Sequence, residues 1–309
     1  MREPKPARRI SASRIKLLND CSWRFYASEY LLWPEKVWPR TKLGSIAHGI
    51  LEVLYRDKHR HIHDLVKKAG TIYVYPALGR LVRAWQFNTK VIDSLIKDID
   101  PMVMLVLNHT NFLDEGATRR FEPEHEFTMV LKNGGKVRGY IDKMAFYGNQ
   151  AIVWDFKSQK NKFTEEEVRD SLQALVYQWY IWKTYGLLAE VRFVMLRYPP
   201  NKKDPSRHIQ ITMPATPAQL EGFEIYLEYM WETVNQFTRQ DAYGNFKMDD
   251  DGFCERVCTY YTPKDYVSIR KRGTKILVGN YLPEFAPPVK EDEYVERLRF
   301  EGCPRWNPQ

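Results

Sequence analysis

GYIDKMAFYGNQAIVWDFK, residues 139–157, places two aspartates at the ends of two short apolar runs. Asp142 closes the first run and Asp155 the second, with the turn residues YGNQ between them. Both runs are rich in β-branched and aromatic residues, so each reads as a strand. Lys157 follows Asp155 by two and therefore lies on the same strand face. Strands joined this way are neighbours, so their terminal acids can converge at one edge of a sheet. Two carboxylates and a lysine gathered there suit phosphodiester hydrolysis. Mg²⁺ or Mn²⁺ prefers oxygen ligands, and a nearby cation stabilises charge developing on a phosphoryl oxygen. Taken singly, the same residues also read as a turn acid and a solvated cross-strand ion pair.

Working outward, HEFTMVL, KVRGYIDKMAFY and AIVWDFK read as three consecutive antiparallel strands joined by hairpin turns. TEEEVRDSLQALVYQWYIWKTYG (164–186) reads as one helix, with a Thr164–Glu167 capping box and a stop at Gly186. EVRFVMLRY and RHIQITM are two further strands, and 216–240 is another helix with Pro217 at its start. Upstream, residues 11–32 suggest a helix capped by Ser11 or Ser13, a break near Asp20 and a second helix. A long helix spans 42–68, a third region covers roughly 77–98, and a shorter helix follows Pro101. His59, His61 and His63 look like a solvated helix end. From about 244 the chain reads as an irregular tail holding Cys254, Cys258 and Cys303. The expected class is α/β, organised as helices over 1–115, a core over 116–243 and the tail over 244–309. No linker composition divides these stretches.

Of the 309 residues, 44% are hydrophobic and 14% aromatic, enough for a sizeable core and unlike a disordered chain. The net charge of +8 fits a polyanionic partner. There is no apolar run of about 18 residues, and MREPKPARRI is followed by no apolar signal region. The expectation is a cytoplasmic protein that makes no use of a membrane. Four cysteines are too few for a disulfide scaffold at this length.

The order of motifs resembles the PD-(D/E)XK nuclease superfamily, in particular its RecB-like exonuclease branch, which includes CRISPR-associated and phage-encoded members. SASRIKLLNDCSWRF matches the family's N-terminal helix, and Gly44 to His48 its G-x-x-x-H. An acid on the first strand lies within EPEHEF, either Glu124 or Glu126, with Glu124 preferred. GYID ending at Asp142, DFK over 155–157 and Gln173 with Tyr177 complete the set, in the family's order over residues 11–186.

The resemblance implies a restriction-endonuclease-like core, with a central mixed sheet flanked by helices. It implies a metal-dependent DNA exonuclease acting in recombination, repair or replication, with DNA as partner and with recombination or helicase proteins as further partners. His48, Asp142, Asp155 and the Phe156 carbonyl would hold Mg²⁺ or Mn²⁺. Lys157 would be the catalytic lysine, assisted by Gln173 and Tyr177. Cys21 before the core and Cys254, Cys258 and Cys303 after it match the iron–sulfur members, where four thiolates hold a 4Fe-4S cluster. The spacing departs from theirs, since three residues separate Cys254 from Cys258 and Cys303 is distant. Buried thiols or a zinc site are the other readings. Arg14, Arg24, Lys160 and Lys162 are candidate DNA contacts, with Trp23, Trp179 and Trp182 for base stacking. A structure- or site-specific endonuclease and an inactive DNA-binding subunit are the alternative functions.

Overall fold

A computed structural model describes residues 9–34, 39–56, 62–69, 89–247 and 252–306. In chain order the helices are α1 (Ala12–Asp20), α2 (Ser22–Phe25), α3 (Pro39–Tyr55), α4 (His63–Ala69), α5 (Thr89–His109), α6 (Glu165–Arg169), α7 (Leu172–Tyr185), α8 (Pro217–Gln236) and α9 (Phe253–Arg256). The strands are β1 (Arg119–Arg120), β2 (His125–Val130), β3 (Lys136–Ile141), β4 (Lys143–Tyr147), β5 (Gln150–Lys157), β6 (Ala189–Met195), β7 (Ile209–Thr212), β8 (Lys264–Lys271), β9 (Leu277–Tyr281) and β10 (Glu293–Phe300). The chain forms two compact units.

The unit of residues 38–131 and 137–227 is built on a five-stranded sheet of order β1-β4-β5-β6-β7. The β5–β6 pair is parallel and the others antiparallel, so the sheet is mixed. β5 is buried along six consecutive residues, as a central strand beside a parallel neighbour should be. A core cluster joins α3 and α5 to the sheet through Ile46, Ile50, Leu54, Val103, Val106, Ile152, Trp154 and Phe156. α7 packs against β6. This central mixed sheet flanked by helices is the expected class.

Several expected elements are cut differently. KVRGYIDKMAFY is two strands, not one. β3 pairs with β2 in a separate two-stranded sheet, while β4 joins β1 and β5. The break falls at Asp142, whose carboxylate accepts the Phe156 N–H at 2.7 Å and whose carbonyl accepts the Glu124 N–H at 3.1 Å. The helix expected over 164–186 divides at Asp170, because the Ser171 side chain accepts the Ala174 N–H and caps a second helix. The Thr164–Glu167 capping box and the left-handed Gly186 cap are both present.

α3 is Pro39–Tyr55, and α4 begins at His63. His63 is buried with its ring nitrogen on the Leu54 carbonyl, so it is no solvated residue. His59, His61 and residues 77–88 lie outside the described residues. α5 runs through Pro101 without ending there.

The other unit holds residues 1–37, 132–136 and 228–309. Ser11 caps α1 by accepting the Arg14 N–H, and the break after α1 comes at the extended Cys21. The region after 244 is not irregular throughout: β10-β8-β9 form an antiparallel sheet. Val267, Ile269 and Phe300 are buried in this unit. Arg270 pairs with Glu296 and Arg299 with Asp265, while Arg297 faces solvent, so these strands carry many charges.

Candidate active site

α3 brings His48 to the sheet through Gly44, one turn earlier on the same face. A methyl group on Gly44 would sit 2.3 Å from Ser158 Oγ, so the bare α-carbon lets the helix approach the end of β5. His48 Nδ1 lies 3.4 Å from Asp142 Oδ2 and 4.0 Å from Glu124 Oε1. Gly139 has a similar role under β3, where a methyl group would come within 2.3 Å of the buried Phe127 ring. Glu124 adopts a left-handed backbone, φ 52°, which costs a non-glycine residue roughly 1–3 kcal/mol. That conformation turns its carboxylate to His48 just before β2 begins. Of the two acids open in the sequence, Glu124 stands beside His48 and Asp142, while Glu126 pairs with Arg138 at 2.6 Å.

Among the described residues, His48, Glu124 and Asp142 are the set of three metal-binding side chains whose ligand atoms all lie within 4.8 Å of one another. Two carboxylate oxygens and an imidazole nitrogen suit Mg²⁺ or Mn²⁺. The electrostatics agree with a site built for a cation. Burial and the Asp142 charge push the Glu124 carboxyl up to about 7. Burial alone would lower His48, but Asp142, Asp155 and Glu124 outweigh it and raise the imidazole to about 9.

Asp155 is 2% exposed and faces a second group of side chains. Its Oδ1 accepts Gln173 Nε2 at 2.8 Å and lies 3.1 Å from the Tyr177 hydroxyl. Its Oδ2 lies 2.6 Å from Lys157 Nζ, in a geometry that pairs the charges without an aligned hydrogen bond. Burial raises the Asp155 pKa, against the pull of Lys157. Lys157 Nζ donates to Gln173 Oε1 at 2.7 Å, and Gln173 Nε2 also reaches Tyr177 at 2.7 Å. The Tyr177 hydroxyl has the Tyr140 carbonyl at 2.7 Å, next to the GYID turn. Gln173 therefore holds Lys157, Asp155 and Tyr177 together. Phe156 sends its N–H to Asp142 and its side chain into the core below His48.

The candidate DNA contacts divide between the units. In the unit of the mixed sheet, Lys160 is exposed and Lys162 lies over the Tyr198 ring at 5.5 Å. In the other unit, Arg14 is engaged by Glu29 at 2.8 Å, and Arg24 lies over the Phe253 ring at 5.1 Å. Trp23 and Trp179 are buried, which corrects their expected role in stacking bases; Trp182 is half-buried. The four cysteines meet in one recess of that other unit, lined also by Trp23, Arg24 and Tyr261.

The chain matches the family model of the PD-(D/E)XK nuclease superfamily over residues 9–262. The chain belongs to this superfamily. No curated protein matches it. Among solved structures it is similar to the crystal structure of protein VC1899 from Vibrio cholerae, at 13% identity and a TM-score of 0.24. That match covers 73% of this chain and 58% of the other, so the chain spans less than two thirds of that protein's length. As a PD-(D/E)XK protein, the chain carries the fold of metal-dependent nucleases. Sequence reading missed the residues flanking the triad, namely Lys143, Asp114 and Tyr55. The one available signal was a lysine directly after the motif aspartate.

Proposed function

We propose that this PD-(D/E)XK protein is a metal-dependent deoxyribonuclease of the RecB-like kind, acting as an exonuclease in DNA recombination, repair or replication. The observation that carries the reading is the triad of His48, Glu124 and Asp142 beside a lysine fixed by Asp155 and Gln173. A divalent ion bound there would supply Lewis acidity toward the scissile phosphate. The residues' own work is positioning. His48, Glu124 and Asp142 would hold the ion, Lys157 would direct positive charge at a phosphoryl oxygen, and Gln173 keeps Lys157 from swinging away. Asp155 orients Lys157 and Gln173 and completes the negative field around the ion. Lys160 and Lys162 contact the DNA backbone just beyond β5, and Arg14 and Arg24 are further backbone contacts.

The four cysteines hold a 4Fe-4S cluster in this reading. The thiols share one recess with about 280 Å³ of atom-free space, part of it open to solvent. Four thiols gathered in one recess match the ligand count of such a cluster. Iron and sulfide content after anaerobic purification tests this, with stoichiometric zinc as the contrary result.

Digestion of linear and closed circular DNA in Mg²⁺ or Mn²⁺ tests the main reading. Loss of the linear substrate alone supports the exonuclease, and cutting of the circle indicates an endonuclease. No digestion of either by the folded, metal-loaded protein points to a DNA-binding subunit.

A further inference from the structure

Directly behind the triad lies a group of charges that water does not reach. Lys143 and Asp114 are 2% and 3% exposed. Lys143 Nζ donates to Asp114 Oδ1 and to the Asn111 carbonyl at 3.0 Å, and it stands 3.2 Å from the centroid of the Trp154 ring. The Tyr55 hydroxyl donates to Asp114 Oδ2, and the Tyr147 hydroxyl lies 3.2 Å from Oδ1. Asp114 is held in a left-handed backbone, φ 53°. Burying a lysine and an aspartate is costly, and an apolar pair of similar volume would serve the core as well or better. The charges therefore call for a role besides stability.

Their connections suggest one. Lys143 directly follows Asp142, and Tyr55 lies on α3 seven residues after His48. Seven residues are close to two helical turns, so His48 and Tyr55 share one face of α3, about 10.5 Å apart along the axis. At one point His48 meets Asp142, and at the other Tyr55 meets Asp114 and, through it, Lys143. Two side chains on one helix thus grip two consecutive residues of the strand break and its partner loop. A metal site needs its ligands fixed by such outer contacts before the ion arrives.

We propose that the buried Lys143–Asp114–Tyr55 network is the positioning device of the metal site, fixing α3 against the Asp142 turn so that His48 and Asp142 converge. This rests on the reading of His48, Glu124 and Asp142 as metal ligands, though not on the substrate. None of the three belongs to the set of ligand atoms formed by His48, Glu124 and Asp142.

The test is the affinity of the full chain for Mn²⁺ by titration calorimetry, beside the melting temperature of the metal-free protein. The double variant Lys143→Met/Asp114→Leu removes both charges and keeps the volume. It is expected to stay folded with a lowered melting temperature, because Leu at φ 53° is strained and the Tyr55 and Tyr147 hydroxyls lose their acceptor, while Mn²⁺ affinity falls by roughly 10–100-fold, the usual effect of losing outer-shell support. Tyr55→Phe, which removes one hydroxyl, is the second variant should the double one fail to fold, and its affinity should fall less. Activity at saturating Mn²⁺ should recover in both. Unchanged Mn²⁺ affinity in a folded variant overturns the proposal, and so does native protein that binds no Mn²⁺ or binds it equally with Asp142→Ala. Mn²⁺ binding that weakens as expected, with no DNA hydrolysis by the native chain, leaves the network standing and removes the nuclease reading.

Discussion

Lys157 and Asp155 stand two residues apart on β5 and share one hydrogen-bond partner, Gln173, which accepts from the lysine through Oε1 and donates to the aspartate through Nε2. The acid and the base are thus oriented by one amide rather than only by each other. Glutamine can do this because its amide carries both a donor and an acceptor. Gln173→Glu would put a third charge in the group, and Gln173→Leu would remove both contacts. With Gln173→Leu, hydrolysis at saturating metal should slow by about 10-fold or more, the scale expected when a positioning contact is lost. Mn²⁺ affinity should change little. Steady-state kinetics with calorimetry of metal binding separates these effects.

Metal should stabilise the unit that holds the triad. An ion that binds only the folded state adds about 2.7 kcal/mol at a concentration 100 times its Kd. Thermal melts in Mn²⁺ and in EDTA should therefore differ by several degrees in the native protein. The difference should vanish in His48→Ala.

Gly139→Ala probes how closely β3 packs. The added methyl would meet Phe127 Cζ at 2.3 Å and Cε1 at 2.5 Å. Phe127 stacks on Tyr180 with ring centroids 4.1 Å apart, so it has little room to yield. Overpacking of this kind costs about 1–3 kcal/mol. A denaturant melt should show that loss, and shortening the neighbour with Phe127→Leu in the same chain should restore part of it.

His208 gives a pH dependence away from the metal ligands. It is buried, with Nε2 on the His109 carbonyl at 3.0 Å and no hydrogen-bond partner for Nδ1 among the described residues. Burial lowers its pKa, opposed by the His109 carbonyl and Asp204, while His109 and Lys162 add to the lowering. A histidine depressed in the fold binds fewer protons there than in the unfolded chain, so stability falls as pH drops through its unfolded pKa of about 6.5. Between pH 7.5 and 5, the melting temperature of the native protein in EDTA should fall more than that of His208→Gln.

The readable parts of this chain were those in which chemistry fixes the residue type. An acid, a lysine, a glutamine one turn from a tyrosine and a glycine four before a histidine kept their order along the sequence, and the fold brings them to one region. Glu124 and Glu126 could not be separated by alternation, which puts both on one strand face; the left-handed turn at Glu124 and the Arg138 pairing of Glu126 distinguish them. The division of KVRGYIDKMAFY at Asp142 was hidden, since no turn residue marks it and the break comes from tertiary hydrogen bonds. His63 looked solvated because hydropathy cannot see a ring satisfied inside the core. β10 escaped because its arginines and acids leave few buried residues, and β9 because it is short and only partly buried.

The central claim is that Lys157 completes a metal-dependent nuclease site. The most direct measurement is the rate at which end-labelled linear DNA is hydrolysed in Mn²⁺ and in EDTA, by the native protein and by Lys157→Ala. The account predicts hydrolysis in Mn²⁺ alone, and a loss of about 100-fold or more in the variant, the scale of removing one charge-stabilising group, with the variant still binding Mn²⁺. Equal rates for the two proteins, or hydrolysis that persists in EDTA, would contradict it.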